Sequence, residues 1–189
     1  MTPRTAPSTA PTRARLIASA ARLFRENGYH GTGLAQVLND SHAPKGSLYH
    51  HFPDGKSDLA MAAASWVSHG MIGIIDDAFG DATSFAGGAT TFCYKLAKLF
   101  ETADHWQACP ISAMLFDGPD NDDFRNHADQ ILSSWSAQTA KHGRRLGMDP
   151  AKADAASELL LLTIQGAWTL ARARKSADVI RRIPIHLYE

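Results

Sequence analysis

The sequence predicts an all-α protein: a three-helix, helix-turn-helix head at the N-terminal end and a larger helical body behind it, about nine helices together. Three observations carry this prediction. Apolar residues recur at three- and four-residue intervals through almost every segment, the period of a helix with one buried face. No run alternates apolar and polar residues as a half-buried strand requires. Glycine, proline and aspartate interrupt the pattern at places suited to helix ends. With 189 residues, 44% of them apolar, the chain has enough material to bury a real core.

Residues 1–11 (MTPRTAPSTAP) are rich in Pro, Thr, Ser and Ala and read as a flexible arm without the apolar centre of a signal peptide. From Thr12 a helix places Leu16, Ile17, Ala20, Leu23 and Phe24 on one stripe and keeps Arg13, Arg15, Arg22 and Arg25 off it. Gly28 closes that helix, because glycine adopts the left-handed region without cost to a side chain. Thr32 is expected to cap a second helix carrying Leu34, Val37 and Leu38. After a break at Ser41, His42 and Ala43, Pro44 suits the first turn of a third helix, where no N–H is needed. Phe52–Pro53–Asp54–Gly55 is a turn, and a long fourth helix runs to about Phe79.

The body is helical throughout. A fifth helix is expected over about 84–103 and a short one from Pro110 to about Phe116. The acidic stretch 117–123 (DGPDNDD) is a polar turn that favours the start of the next helix, Asp122 to about Leu146, which Gly147 ends. Asp149–Pro150 opens another through Arg174, and a last segment lies near 177–186. The division is therefore an arm over 1–11, a head over 12–55 and a body over 56–189.

Charge narrows the function. The chain is neutral overall, which argues against indiscriminate coating of nucleic acid. Residues 1–60, however, hold seven Lys and Arg against four acids, together with His30, His42, His50 and His51. A modest basic surplus at one end suits a head that a dimer doubles. Cys93 and Cys109 are too few for a disulfide framework, and Cys109 reads as a small buried hydrophobe. No stretch approaches about 18 consecutive apolar residues, so no membrane role is expected. His50 and His51 are adjacent and point about 100° apart on a helix, which disfavours a shared metal. No metal and no cofactor are expected. Neither a nucleophile motif, nor paired carboxylates, nor a phosphate loop supports a helical enzyme.

The chemistry concentrates in Thr32–Phe52. On the third helix Leu48 and Phe52, four apart, face the core, while Lys45 and Tyr49, also four apart, face away with Gly46 and His50 beside them. An outer face with a cation, a phenol, an imidazole and a bare backbone suits a groove lined by phosphates. Lys45 is placed to reach a base edge or phosphate; Ser47 can do either, and Gly46 permits close approach. Tyr49, His50 and, at the start of the fourth helix, Lys56 suit backbone oxygens, and Thr32 offers a hydroxyl and a helix start to another.

The stretch GYHGTGLAQVLNDSHAPKGSLYHHFPDGKSDL resembles, without a gap, the N-terminal domain of TetR/AcrR-family transcriptional repressors. The resemblance extends to the LmrA/YxaF-like branch through APKGSLYHHFPDGK, the CPI at 109–111 and QGAWTLARARKSADVI at 165–180. It implies a bacterial, cytoplasmic homodimer, nucleoid-associated when bound, whose heads grip a palindromic double-stranded operator. It also implies body helices that enclose an inducer. Thr32, Lys45, Gly46, Ser47, Tyr49, His50 and Lys56 match the family's DNA-contacting segment. One departure is His42, at a turn where many members have glycine.

Within the body, Trp66, His69, Phe92, Trp106, Met114, Trp135, Gln165 and Trp168 are the candidate pocket residues. Large side chains also make ordinary core, so both readings stand at this point. A pocket built from them would take a small hydrophobic or aromatic molecule. The segment Leu159–Trp168, with Gly166 and Ala167, offers a flat face for close packing, so dimerisation through the last two long helices competes for the same residues.

Overall fold

The computed structural model describes residues 10–102, 109–116 and 122–188. Helix α1 (Thr12–Gly31) buries Leu16, Ile17, Ala20, Leu23 and Phe24 as its periodicity requires. At Gly28 (φ 72°, ψ 172°) the helical run breaks, in a conformation essentially reserved for glycine, and one more turn carries the chain to Gly31. Helices α2 (Leu34–Ser41) and α3 (Lys45–His51) follow, joined through His42 in the left-handed region at φ 50°, ψ 37°. Histidine thus occupies the conformation that glycine would supply, and the Ala43 N–H closes the turn on the Leu38 carbonyl at 3.1 Å. Pro44 stands one residue earlier than expected, at the cap position of α3, with Lys45 as the first helical residue.

Two expectations for Thr32 are corrected. Gly33 occupies the cap position of α2, and no side chain caps that helix. Thr32 is only 1% exposed, and its hydroxyl donates inward to the carbonyls of Leu23 (3.0 Å) and Gly28 (2.9 Å). The break at Gly28 frees carbonyls that need a donor, and the nearest hydroxyl satisfies them. The side chain is therefore an internal strut and not a phosphate contact.

Gly55 (φ 66°) turns the chain into α4 (Lys56–Phe79), the spine of the molecule. Helix α5 (Phe85–Thr102) returns antiparallel to it, and a wide π-helical turn at Ser112–Phe116 packs against α1, α4 and α6. Helices α6 (Asp122–Arg145) and α7 (Pro150–Arg174) form an antiparallel pair. The Asp149 carboxylate caps α7 by accepting from the N–H groups of Ala151 and Lys152 at 3.0 and 3.2 Å, beside Pro150 in the first turn. The final segment is two short helices, α8 (Asp178–Arg181) and α9 (Ile183–Tyr188), which lie on α5 and α7. All described elements are helical, as the periodicity predicts.

Helices α4 and α6 run parallel, fixed by a polar seam. Ser65 meets His127 Nε2 at 2.9 Å, Trp135 Nε1 donates to Ser68 Oγ at 3.0 Å, Asp76 accepts from His142 Nε2 at 2.7 Å, and Arg145 donates to the Phe79 carbonyl at 2.6 Å. These partners hold the Asp76 carboxyl below its ordinary range, the His142 bond foremost and the Gln138 bond next. Helix α4 is also the one described helix long and apolar enough, on average, to cross a membrane; here it packs on α1, α5 and α6.

Where α5 meets the end of α4, Gly88 is buried and any Cβ would run into the Phe79 ring, itself fully buried. Gly88→Ala is therefore expected to cost about 1–3 kcal/mol through overpacking. At about 2–4 °C per kcal/mol for a chain of this size, thermal unfolding should begin several degrees lower. An unchanged melting curve would show that Phe79 has room to move.

Candidate nucleic-acid interface and ligand cavities

The head is assembled so that α3 has one anchored face and one bare face. Leu48 (0% exposed) and Phe52 (2%) sit in the core, while Tyr49 is 52% exposed and Lys45, Gly46 and His50 are exposed beside it. This is the division expected from the four-residue spacing. A Cβ at Gly46 would meet nothing within 4 Å, so the backbone is open to close approach. The Ser47 hydroxyl donates to the Pro44 carbonyl at 2.6 Å, which leaves its oxygen as an acceptor at the helix start. Adjacent His50 and His51 lean together despite their divergent directions, with ring centroids 5.0 Å apart.

Supporting contacts fix how α3 is presented. The Arg13 guanidinium lies 5.4 Å over the Phe52 ring. Asp40 at the end of α2 accepts from Ser19 and Arg22 of α1, and Arg22 also pairs with Glu26 at 3.0 Å. Burial alone would raise the Asp40 carboxyl, but the hydrogen bonds from Ser19 and Arg22 outweigh it and hold the group below its usual range. Lys56 is half-buried, its ammonium 4.5 Å over the Tyr29 ring, and desolvation lowers its pKa from the ordinary value. Of the DNA-contacting candidates, Lys45, Gly46, Tyr49 and His50 are exposed on α3 with Ser47 half-buried at its start, Lys56 is turned to the Tyr29 ring, and the Thr32 side chain points inward. The Ser19–Arg22–Asp40 network escaped the sequence reading because its partners lie on different helices.

The pocket candidates divide between two spaces. Phe92, Trp135, Gln165 and Trp168 line a cavity of ≈ 20 Å³ inside the body, with Ser157, whose buried hydroxyl has no hydrogen-bond partner among the described residues. That volume suits a water, not an organic molecule. Trp66, His69 and again Trp168 line a larger groove of ≈ 560 Å³ between α4, α5 and the end of α1. Met71 and Trp168 border both spaces. Met114 lines neither; it is fully buried, filling the core beneath the π-helical turn, and the pocket assignment for it is corrected. Trp106 lies outside the described residues. Ala167 is likewise buried and does not belong to the flat outer face of α7, although Gly166 does. Burial pushes the Cys93 thiol up to about 12, and Cys109 is also buried.

Comparison with known proteins decides the family. Residues 16–63 match the model of bacterial regulatory proteins of the tetR family, and residues 86–186 match the C-terminal domain of LmrA/YxaF-like transcriptional regulators. The chain belongs to the TetR family. It is similar to the transcriptional regulator LmrA of Bacillus subtilis, 28% identical across 90% of this chain and 92% of that one. A helix-turn-helix transcriptional regulator of Mycobacterium tuberculosis is 31% identical, with 90% of each chain covered. Among solved structures, a cysteine mutant of the TetR-family regulator CifR, complexed with 26-base-pair double-strand operator DNA, shares the fold. Its TM-score is 0.78 at 16% identity, covering 97% of this chain and 100% of that one. As a TetR-family member the chain is a DNA-binding transcriptional regulator and not an enzyme.

Proposed function

We propose that this TetR-family chain is a ligand-responsive repressor. Two copies bind a palindromic operator through their heads, residues 12–55 with Lys56, and a small hydrophobic or aromatic molecule held in the body, residues 56–189, releases them. The observation that carries the reading is the bare face of α3, where Lys45, Gly46, Tyr49 and His50 stand clear over the anchored Leu48 and Phe52. In two-fold dimers such helices enter successive major grooves about 34–36 Å apart. A ligand that favours a different head separation would shift the dimer off its site. The place of action is then the cytoplasm, with nucleoid association while the operator is held.

Selection of bound duplexes from a random pool tests this directly. The expected product is an inverted repeat, bound with an affinity that falls steeply as salt rises. Recovery of no preferred sequence, or of an asymmetric one, would overturn the reading.

The dimer seam is proposed along α7. Ala155, Leu159, Leu162, Gly166 and Leu170 form one exposed stripe at steps of three or four residues. A Cβ at Gly166 meets nothing within 4 Å in its own chain. Gly166→Trp should therefore leave the protomer folded but overpack the seam by about 1–3 kcal/mol per site, and the two-fold axis applies that twice. Sedimentation is expected to show monomers where the native chain gives dimers. A Gly166→Trp dimer of native affinity would place the seam elsewhere.

A further inference from the structure

The groove beside α4 has a charge pattern that the reading above leaves unused. Its walls are apolar and aromatic: Trp66 and Ile74 of α4, Phe100 of α5, and Trp168 of α7, whose ring meets Phe100 edge-on at 5.7 Å. Trp66 is 55% exposed, an unusual state for the largest apolar side chain. Beside it Gly70 bears no side chain, and a Cβ there would meet nothing within 4 Å. Among the described lining residues one carries a permanent charge, and it is Arg25. Its Nε is buried with no hydrogen-bond partner, and no carboxylate pairs with it among the described residues. The nearest acid in sequence, Glu26, is held by Arg22 instead.

A guanidinium that no carboxylate pairs, lining an aromatic groove, is placed to take an anion. A buried donor without a partner costs free energy that an acceptor recovers, and a planar carboxylate fits a guanidinium fork in particular. The apolar lining supplies the remaining affinity by desolvation, and His69 adds a polar group to that lining. We propose that the inducer groove takes an anionic amphiphile, a small aromatic or aliphatic acid whose carboxylate pairs with Arg25 while its apolar part lies against Trp66 and Trp168. This inference rests on the ligand-responsive reading and adds the chemical class.

It also gives the ligand a handle on the head. Arg25 belongs to α1, and one turn earlier on that helix Arg22 grips Asp40 at the end of α2, with Ser19 on the same carboxylate. A carboxylate on Arg25 therefore loads the helix on which the DNA-reading pair is mounted.

Matched probes test the proposal on the full chain: 2-naphthylacetate against neutral 2-naphthylacetamide, followed by tryptophan fluorescence and by release of the selected duplex. The native protein is expected to bind the acid about tenfold or more tightly than the amide, the scale of a charge-assisted hydrogen bond. Arg25→Gln should erase that preference while amide binding persists, and Arg25→Lys should keep part of it. Gly70→Leu, which fills the groove where space is open, should weaken both probes. Equal binding of the two by the native chain overturns the proposal. So does an acid preference that survives Arg25→Gln, or a Trp66 shielded in the dimer and indifferent to both probes. If Arg25→Gln fails to fold, the native comparison and Arg25→Lys decide. Acid and amide releasing DNA equally would refute the anionic class alone. An acid preference without any release would instead refute the ligand-responsive reading.

Discussion

The double substitution Lys45→Ala, Tyr49→Ala is expected to abolish specific operator binding while the chain stays folded and dimeric. Both side chains project from the bare face of α3, so their truncation removes no core contact. Contacts of this kind to a base edge or phosphate contribute about 1–3 kcal/mol each, and a symmetric dimer makes each one twice. Even at the low end, the affinity loss is on the order of a thousandfold. The residual affinity should be non-specific and indifferent to sequence. Footprinting at constant salt, beside sedimentation and circular dichroism, separates this result from simple unfolding. A variant that still protects the operator normally would mean that α3 is not the reading helix.

The legibility of that face follows from what a helix is. Leu48 and Phe52 fix the buried side by spacing alone, and Lys45 and Tyr49 must then point outward, so local periodicity suffices. Asp149 before Pro150 was legible for the same reason, since a cap acts within its own turn. A hydroxyl just before a helix normally caps it by accepting from an N–H of the first turn; here the Thr32 side chain is turned inward and donates to the carbonyls of Leu23 and Gly28 instead. The pocket list mixed two spaces because the sequence shows which residues are large but not which helices they lie between. Trp135 illustrates this: its indole N–H reaches Ser68, a partner 67 residues away. Arg25 looked like one more solvated cation off the apolar stripe of α1. Its place at the edge of a groove depends on α4 and α5, which the stripe cannot reveal.

The same dependence on distant partners makes Tyr29 a residue whose loss should damage the fold heavily. It stands directly after the break at Gly28 and is 7% exposed. Its ring stacks on Phe24 of α1 at 5.7 Å, meets Phe124 of α6 edge-on at 5.4 Å, and carries the Lys56 ammonium of α4 at 4.5 Å. One side chain thus joins the head, the spine and the body. Tyr29→Ala is expected to cost about 3–5 kcal/mol, a large share of the roughly 5–15 kcal/mol that holds a typical domain together. Thermal unfolding should fall by on the order of 10 °C. Tyr29→Phe keeps both ring contacts and the face beneath Lys56, so it should stay near the native value. Hydrogen exchange adds the diagnostic measurement. With Tyr29→Ala, the amides of α2 and α3 should lose protection before those of α6 and α7, because the head is cut from the core that steadies it. Uniform loss of protection across the chain would make Tyr29 an ordinary core residue. Selective loss would identify it as the joint that steadies the head against the body.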